Sequence, residues 1–581
     1  MRIAVTAIGC LCADHVATPQ ILPTIHKEWP VGEVCLTNEQ LAKRVRVLPD
    51  GNLSRNSLLA LVAASEALDD AKLTNAQTAD LLFINGTTVG GMDLTERHFA
   101  DWMNGQPVQP EILSQHEAHA TTLTVRQFLG FAPEPLTIST ACSSALNAII
   151  VGAEHIRKGT HTRVLVGGTE ALTLFHLNGF GSLGILSEQV CRPFSPDRDG
   201  INLGEGAAYL LLEEESAALA RGAHIYGYVA GYGNRCDAYH QTASSPEGEG
   251  AFLAMQDALT MAGLQPDDID YLNAHGTATP NNDASESRAV ERLFGRPLLY
   301  NSSPNLGEVA AEQTEESDLG PLTFDRTKAW PEPVSTKHIT GHTTSASGAI
   351  EAVFCLRLMA ERGYRYVMTN AFAFGGNDSS LIFSSLPVSV GGEHNVAEKV
   401  LCKTVPPTKW GGGASEARVL QGTSSAFPSI SPLQLRRLTP QLRTLLAAAQ
   451  QALTDANLTT PDAIIVSTRW GGITPTVALL KSLAQNGEHD FSPSLFMQST
   501  HNTPATTLAR LLACQGYNIT FCPATASTFH FSPFTFHLRP KAALVCTYDE
   551  PEPTWAALLA QAGITLTPAA SATILDTSEN S

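Results

Sequence analysis

Short apolar segments alternate with Ala- and Leu-rich helical segments from residue 1 to about residue 386. RVLVGG (163–168) and AAYLLLE (207–213) have the length and composition of buried strands, whereas AFLAMQDALTMAGL (251–264) has apolar residues at helical spacing. This alternation predicts an α/β architecture built in layers. MRIAVTAIGC (1–10) has no long apolar region and no small-residue cleavage site, so we interpret it as the first strand rather than a signal peptide.

Two polar stretches divide the chain. NSSPNLGEVAAEQTEESDLGP (301–321) is acidic, and we interpret it as a solvated surface insertion. Gly, Pro, Ser and Lys are frequent in 387–432, which is typical of a linker. The predicted folded segments are therefore 1–386 and 433–567.

An internal repeat links the two ends of the chain. LVAASEALDDAKLTNAQTADLLFINGTTVGG (61–91) returns as LAAAQQALTDANLTTPDAIIVSTRWGG (446–472). LTISTACSSAL (136–146) returns as ITFCPATASTF (519–529), where Thr525 takes the place of Cys142. The C-terminal segment is thus interpreted as a partial second copy of the N-terminal half without its thiol. Its strand and helix pattern predicts that it folds as a small α/β unit.

Composition narrows the classes of function. The 581 residues are 43% hydrophobic and carry a net charge of −19, which argues against a nucleic-acid binder because such proteins need a basic face. No run approaches 18 uninterrupted apolar residues, so no transmembrane helix is expected. Eleven cysteines show no even-spaced framework, which indicates reduced thiols. We predict a soluble cytoplasmic protein.

Cys142 lies where an apolar strand changes into an apolar helix. Free backbone N–H groups and the helix dipole favour an anion at such a position, so a thiolate would be stabilised there. The pattern therefore makes Cys142 a candidate nucleophile. The alternative is that Cys142 is a buried, small apolar residue, which is the commoner fate of cysteine.

Two histidine-containing stretches also have two interpretations each. NAHGTATPNNDASE (273–286) places His275 after a predicted strand, as a catalytic or a structural residue. Asp283 and Glu286, in the same stretch, fit a capping box at a helix start. HEAH (116–119) has histidines at i and i+3, a pattern that a metal site also uses; without a third ligand nearby we interpret it as a helix surface.

Two further loops have the character of a site. STKHITGH (335–342) holds Lys337 and His342 between an extended segment and a helix. NAFAFGGND (370–378) places Phe374 before Gly375 and Gly376, which predicts a tight approach of the backbone to a bound group.

Five ordered motifs, TACSSA, RPFSPDRDGINLGEGAAYLLLE, NAHGTATPNNDASE, STKHITGH and NAFAFGGND, together resemble the β-ketoacyl-acyl-carrier-protein synthases of the I/II type. The resemblance covers residues 1 to about 386. It implies the thiolase fold, with two similar βαβαβαββ halves, residues 1–225 and 226–386, in five layers and a homodimeric assembly. It implies no metal and no bound cofactor, since the phosphopantetheine arm arrives on the acyl carrier protein.

The resemblance also assigns roles to the matched residues. Cys142 is implied to accept the acyl chain, while His275 and His342 assist decarboxylation of a malonyl thioester. Lys337 is implied to organise the second histidine, and the backbone N–H groups of Cys142 and Phe374 to form an oxyanion hole, with the Phe374 ring as a gate. The supporting residues implied by the same motifs are Asp283, Glu286, Glu351, Gly375 and Gly376.

This sequence departs from the family pattern at two places. The loop usually written GFGGTN is AFGGND here, with Asn377 and Asp378. The stretch TTSASG (343–348), after His342, is more polar than usual. Both changes touch the region that shapes the acyl pocket, so the length of the acyl chain stays open.

The C-terminal copy resembles a different group. DAIIVSTRWGGITPTVALLKSLAQ, FSPSLFMQSTHNTPATTLARLL and YNITFCPA are similar to the ketosynthase-like N-terminal domain of chain-length-factor-type proteins, which accompany synthases in aryl-polyene pathways. The resemblance makes the chain a fusion. It has no counterparts of the histidine and lysine loops, so it does not build a complete site alone. In this family the N-terminal half provides much of the surface through which protomers pair, so the resemblance implies that residues from about 433 onward dock on the larger body.

The function implied is that of a 3-oxoacyl-acyl-carrier-protein synthase, an acyltransferase of fatty-acid or aryl-polyene/polyketide biosynthesis. The alternative is a non-catalytic, chain-length-factor-like protein that binds acyl carrier protein; the intact cysteine and histidine set favours the enzyme. The implied partners are acyl carrier protein and either a second copy or a chain-length-factor-like protein in a pseudo-dimer. Lys43, Arg44 and Arg46 form a basic cluster that is a candidate docking site, or simply a solvated face.

Overall fold

The computed structural model describes residues 1–22, 29–46, 53–295, 335–388, 390, 430–436, 438–523, 542–564 and 569–576. The predicted surface insertion, nearly all of the predicted linker, and Thr525 lie outside these ranges. Within them, no helix combines the length and the apolar character that a membrane crossing needs.

The N-terminal half contains five strands, which mix parallel and antiparallel pairs. Its elements are β1 Ile3–Cys12, α1 Asn38–Arg44, α2 Arg55–Ala71, α3 Asn75–Ala79, β2 Leu82–Gly86, α4 Met92–Met103, α5 Pro110–Leu113, α6 Ala118–Leu129, β3 Leu136–Ile138, α7 Ser144–Arg157, β4 Arg163–Glu170, α8 Leu174–Ser182, β5 Gly206–Glu214 and α9 Glu215–Ala220.

The C-terminal half, which with the N-terminal half forms the body of the protein, adds four strands. Its elements are β6 Gly227–Cys236, α10 Glu249–Ala262, β7 Tyr271–Asn273, α11 Pro280–Phe294, α12 Lys337–Thr340, α13 Ser347–Arg362, β8 Tyr366–Ala373 and β9 Asn377–Ser384.

The remaining elements form the C-terminal unit, residues 430–576. They are α14 Pro432–Arg436, α15 Pro440–Asp455, β10 Ala463–Ser467, α16 Ile473–Asn486, α17 Pro493–Gln498, α18 Thr503–Leu511, β11 Tyr517–Phe521, β12 Ala542–Asp549, α19 Pro553–Gln561 and β13 Ala569–Asp576. The repeated sequence segments fall on the helix–strand pairs α2–β2 and α15–β10.

The body is layered in the α-β-α-β-α order expected from the sequence. α2 packs on β1 and β5, α7 packs on β2 and β4, and α13 lies between β5 and β8 and contacts α7. On the far side, α10 covers β6 and β9. The strands run in the order β3-β2-β4-β5-β1-β6-β9-β8-β7, and the two halves meet where Ile3–Val5 pair with Gly227–Val229.

The central helix α7 lies unusually close to the sheet, and this fixes the position of its first turn. Its apolar residues, including Leu146, Ile149 and Ala153, are buried in the largest core cluster. Gly86, at the end of β2, permits the approach, because a Cβ there would lie 2.6 Å from the backbone nitrogen of Ala145.

The C-terminal unit docks on the body by extending its sheet, the arrangement that the repeat predicted. β11 pairs antiparallel with β3, with Phe521 opposite Ile138. Apolar side chains of both parts, such as Phe180 and Trp102 of the body and Phe496 and Trp555 of the unit, share one buried core. The unit is therefore joined to the body both by strand hydrogen bonds and by packing.

Candidate active site

Cys142 sits on a sharp turn between β3 and α7. A single 3₁₀ turn spans Ala141–Ser143, and Ala141 has a left-handed φ of 52°. Such a conformation is strained for a residue with a side chain and is often found at functional sites. The turn is held by the Ser144 hydroxyl, which accepts a hydrogen bond from the Thr140 N–H at 2.9 Å. It places the thiol, which is buried, at the start of the central helix.

The structure brings Cys142 together with two histidines from distant parts of the chain. The Sγ of Cys142 lies 3.0 Å from Nε2 of His342. The rings of His275 and His342 are 5.3 Å apart and nearly perpendicular. One ring nitrogen of each histidine and the Sγ of Cys142 all lie within 4.8 Å of one another. All three side chains are buried, so their polar atoms face one another rather than bulk water.

His342 is held by its backbone and by a neighbouring hydroxyl. Its N–H donates to the Asn202 carbonyl at 2.7 Å, and its own carbonyl accepts from Gly204 N–H at 2.9 Å. Its Nδ1 lies 2.9 Å from Oγ of Ser347. The Ser347 hydroxyl can accept a hydrogen bond from Nδ1, which leaves Nε2 free to take the thiol proton, or donate to Nδ1, which places the ring proton on Nε2. Ser347 was not assigned from the sequence, although it belongs to the polar stretch TTSASG (343–348).

Two carboxylates hold the loop of His275. Glu286 accepts the N–H groups of His275 and Gly276 at 2.8 and 2.9 Å. Asp283 accepts the N–H of Ala278 at 3.1 Å and that of Phe194 at 2.6 Å. The capping-box interpretation is therefore wrong, because these side chains turn to the preceding loop instead of the start of α11.

Nδ1 of His275 is buried and has no hydrogen-bond partner in the described part of the chain. The ring therefore keeps a polar atom available in a site from which water is largely excluded.

Lys337 and Glu351 form a buried ion pair. The Nζ of Lys337 lies 2.6 Å from Oε1 of Glu351, and both side chains are at most 2% exposed. A buried charge is tolerated when it is paired in this way. The positive charge of Lys337 lowers the pKa of Cys142, His275 and His342.

Burial determines the protonation state of the resting site. It raises the pKa of the Cys142 thiol to about 12, against the lowering effects of Lys337 and of the Phe374 N–H. Burial and Lys337 together hold the pKa of both His275 and His342 well below its usual range. The thiol and both imidazoles are thus neutral near pH 7. The expectation of a resting thiolate at the helix start is wrong, because burial outweighs the stabilising groups.

The Phe374 loop comes from the turn between β8 and β9. The Phe374 backbone N–H hydrogen-bonds the Cys142 thiol, and the Phe374 ring stacks on Phe180 at 5.5 Å. Gly375 and Gly376 have φ values of 85° and 78°. A Cβ on Gly375 would lie 2.5 Å from the side chain of Thr506 in the C-terminal unit. The close approach expected at these glycines is therefore to protein atoms.

The family departure at Asn377 joins three parts of the molecule. Its Oδ1 accepts from the Ser143 hydroxyl at 2.6 Å and from the Asn147 amide at 2.9 Å, at the start of α7. Its Nδ2 donates to the carbonyl of Asn518 in β11 at 2.5 Å. The second departure is Asp378, and burial raises the pKa of its carboxyl group well above the ordinary value. The negative charge of Asp237 raises this pKa further.

The sequence had indicated that the HEAH stretch is a helix surface, and this interpretation is wrong. His116, Glu117 and His119 are all buried. Glu117 accepts hydrogen bonds from Arg469 of the C-terminal unit, and the His116 ring lies 4.4 Å from that of Trp555. The stretch forms part of the junction between body and unit. By contrast, Lys43, Arg44 and Arg46 are exposed at the end of α1.

Comparison with known families and proteins agrees with this geometry. Models of the β-ketoacyl synthase N-terminal and C-terminal domains match residues 42–218 and 226–304. A second β-ketoacyl synthase N-terminal domain matches residues 410–580. The 3-oxoacyl-acyl-carrier-protein synthase 2 of Staphylococcus aureus is 34% identical in an alignment of 369 positions that covers 57% of this chain and 84% of that protein. The chain belongs to the β-ketoacyl synthase family.

A β-ketoacyl synthase of this family is an acyltransferase. The Synechocystis sp. 3-oxoacyl-acyl-carrier-protein synthase 2 is 36% identical in an alignment of 314 positions. This alignment covers 52% of this chain and 68% of that protein. The ishigamide ketosynthase/chain length factor structure is 26% identical, with a TM-score of 0.57, over 66% of this chain and 99% of that one. The PfaC ketosynthase–chain length factor aligns with 99% of this chain and 78% of its own, with a TM-score of 0.69 and 16% identity. The fold is thus the thiolase fold of ketosynthases, with an added N-terminal-type domain.

Proposed function

We propose that this protein condenses an acyl group with malonyl-acyl carrier protein, giving 3-oxoacyl-acyl carrier protein, carbon dioxide and free acyl carrier protein. The observation that carries the proposal is the buried cluster of Cys142, His275 and His342, with Sγ 3.0 Å from Nε2 of His342. A thioester exchange needs a soft nucleophile, and carbon–carbon bond formation needs a site from which water is excluded.

The first step is transfer of the acyl group to Cys142. The Sγ attacks the thioester carbonyl carbon, a new C–S bond forms, and the bond to the phosphopantetheine sulfur breaks. Because the resting thiol is protonated, its proton must leave during the attack, and Nε2 of His342 is within reach to take it. The proton then goes to the departing sulfur. The developing oxyanion accepts hydrogen bonds from the Cys142 and Phe374 N–H groups.

The second step uses the malonyl thioester. Its bond to the carboxylate breaks, carbon dioxide leaves, and the electron pair passes into an enolate. Neutral His275 and His342 donate ring N–H hydrogen bonds to the enolate oxygen, which bears charge only as the reaction proceeds. The enolate carbon attacks the acyl carbonyl, the C–S bond to Cys142 breaks, and the sulfur regains a proton from solvent.

The proposed partner is acyl carrier protein, as the names of the curated relatives suggest, and the proposed pathway is of fatty-acid or aryl-polyene/polyketide type. The phosphopantetheine arm of that partner supplies the thioester, and no other cofactor is proposed. A ketosynthase from Xenorhabdus doucetiae, solved in complex with its chain length factor, is 26% identical over 66% of this chain, with a TM-score of 0.51. We propose that the C-terminal unit takes a chain-length-factor-like place in this chain.

The direct test is a condensation assay. The protein is incubated with malonyl-acyl carrier protein and a panel of acyl-acyl carrier proteins of different chain lengths. We expect released carbon dioxide and a carrier protein whose mass has increased by the two-carbon extension and the 3-oxo group. If no member of the panel gives either product, the proposed function is wrong.

Single replacements of the two histidines should separate the two steps. We expect His275→Ala to abolish carbon dioxide release while Cys142 is still acylated, since His275 does not contact the thiol. His342→Ala should slow both steps, because Nε2 of His342 is the base beside Sγ. Each removal should cost about 10²- to 10⁴-fold in the step affected. Acyl-enzyme mass and carbon dioxide release measure the steps separately; intact decarboxylation in His275→Ala would contradict its role.

The basic cluster Lys43, Arg44 and Arg46 is the proposed docking site for the acidic carrier protein. The three residues are exposed within four positions at the end of α1. Replacing all three with Glu should raise the KM for acyl-acyl carrier protein and leave kcat unchanged, and added salt should reduce the difference. The same replacement of Arg288, Arg292 and Arg362 serves as a control for total charge. An unchanged KM would remove the cluster from the docking surface.

A further inference from the structure

The junction between the body and the C-terminal unit has a local two-fold relation. The Ser139 N–H donates to the Thr520 carbonyl at 3.0 Å, and the Cys522 N–H donates to the Thr137 carbonyl at 2.9 Å. Thr137 and Ser139 occupy the positions in LTISTACSSAL that Thr520 and Cys522 occupy in ITFCPATASTF. The two hydrogen bonds are therefore equivalent, and the unit meets β3 with the strand that corresponds to β3.

The helices beside these strands correspond in the same way. Both α6 and α18 contain the sequence ATTL, at residues 120–123 and 505–508. Glu117 is the N-cap of α6, and Asn502 is the N-cap of α18. Gly90 and Gly91 lie against the segment that precedes α6, and Gly471 and Gly472 lie against the segment that precedes α18. Glu117 in the body and Asn502 in the unit are thus equivalent positions.

These equivalent positions carry different chemistry. The carboxylate of Glu117 accepts two hydrogen bonds from the guanidinium of Arg469, at 2.5 and 2.7 Å. The amide of Asn502 instead reaches the active site, where its Nδ2 donates to the carbonyl oxygen of Phe374 at 3.1 Å. One side of the junction is an ion pair, and the other is a neutral bond to the loop beside Cys142.

Two further side chains of the unit contact the same loop. Thr506, one turn into α18, lies against Gly375, where even a Cβ would not fit. The ring of Phe496 lies 5.5 Å from that of Phe180, which stacks on Phe374 from the other side. The Phe374 loop is therefore held by the unit at its carbonyl, its glycine and its aromatic neighbour.

A second copy of the body would not reproduce these contacts. By the repeat, it would bring Glu117 to the position of Asn502 and Thr88 to the position of Arg469. A carboxylate has no hydrogen to donate to the Phe374 carbonyl, and two acceptors placed together repel. The Glu117 of the first copy would also lose its arginine partner and remain a buried, unpaired charge.

We propose that the C-terminal unit completes the active site within the same chain, with Asn502 as the residue that positions the Phe374 loop, a place that a second copy of the body does not fill. The inference rests on the proposed function, in which the Phe374 N–H stabilises the oxyanion. Asn502 touches neither substrate nor Cys142, so it acts through the loop.

The test replaces Asn502 with Asp in the full chain. The Asn502 side chain makes no capping hydrogen bond to α18, and Asp keeps the oxygen that accepts from the Thr500 hydroxyl, so α18 should stay intact. The donor to the Phe374 carbonyl is lost. We expect kcat for condensation to fall about 10- to 100-fold with an unchanged KM. Because Asn502 is buried, the new carboxylate should also lower the melting temperature, so kcat is measured well below that temperature, where the variant is folded. Asn502→Gln, which keeps the amide donor, should recover part of kcat.

Asn486→Asp is the matched control, since Asn486 is exposed at the end of α16. It should retain full kcat. If Asn502→Asp also retains full kcat while the wild-type protein is active, the positioning role is wrong. If the wild-type protein itself forms no product, the proposed function fails instead, and the two failures are distinguished.

Co-expression of two impaired variants tests completion within one chain. Cys142→Ala has an intact C-terminal unit, and Asn502→Asp has an intact Cys142. Because each body is completed by its own unit, co-expressing the two chains should give no more activity than the sum of the two measured separately. Activity well above that sum would mean that the unit of one chain serves the body of another, and would overturn the proposal.

Discussion

Replacing Cys142 with Ala should abolish both the acyl-enzyme and the condensation product. No other residue of the cluster supplies a sulfur nucleophile, and His275 and His342 have no thioester to act on once acylation is blocked. We expect the condensation rate to fall by at least about 10³-fold, as is usual when a covalent nucleophile is removed. The rate is measured from 3-oxoacyl product on the carrier protein, and acylation from the mass of the intact protein.

Cys546→Ala is a suitable control because Cys546 is also buried, in β12 of the C-terminal unit, within an apolar core cluster that contains none of the site residues. It should keep full activity. Persistent condensation in Cys142→Ala, or equal losses in the two variants, would show that the thiol of Cys142 is not the acyl acceptor.

Replacing Lys337 with Met should destabilise the fold strongly and also change the pH dependence. Removal of one partner leaves the carboxylate of Glu351 buried without its counter-charge, which costs about 3–5 kcal/mol of unfolding free energy. A double variant, Lys337→Met with Glu351→Leu, removes both charges and should regain most of that stability. Denaturant unfolding of the two variants and the wild type measures the difference; equal stability of the single and double variants would contradict it.

The pH effect follows from the charge of Lys337, which lowers the pKa of His275 and His342. Without it, both pKa values rise towards the ordinary histidine value. Since protonation of His342 removes the base beside Cys142, activity would be lost at a higher pH than in the wild type. The acid limb of the pH–rate profile of the double variant should therefore move to higher pH; an unmoved limb would mean that Lys337 does not act on the histidines.

Much of the fold was predictable because it follows from local patterns. The alternation of strands and helices gave the layered α/β class, and the strand-to-helix change around Cys142 located the turn that the structure has at Ala141–Ser143. The internal repeat predicted a docked C-terminal unit, because the family uses its N-terminal half as the surface through which protomers pair. The family resemblance carried by the five ordered motifs identified the residues that meet in the site.

The rest depends on side-chain directions and on contacts between residues far apart in sequence. Ser347 lies beside His342 in the chain, yet its role needs the side-chain direction that the structure supplies. Asn502 lies 128 positions from Phe374, and no local pattern marks that pair. The protonation state of Cys142 was wrong from sequence for the same reason, because burial is a property of the whole fold and here it outweighs the helix start.

The central claim is that Cys142 carries the acyl chain as a thioester, and intact-protein mass spectrometry tests it directly. After incubation with one acyl-acyl carrier protein alone, the protein should gain the mass of one acyl group, located by digestion on the peptide that contains Cys142. Malonyl-acyl carrier protein added next should remove that mass as 3-oxoacyl product appears. An unmodified Cys142 peptide, with the acyl group elsewhere or absent while product forms, would contradict the account.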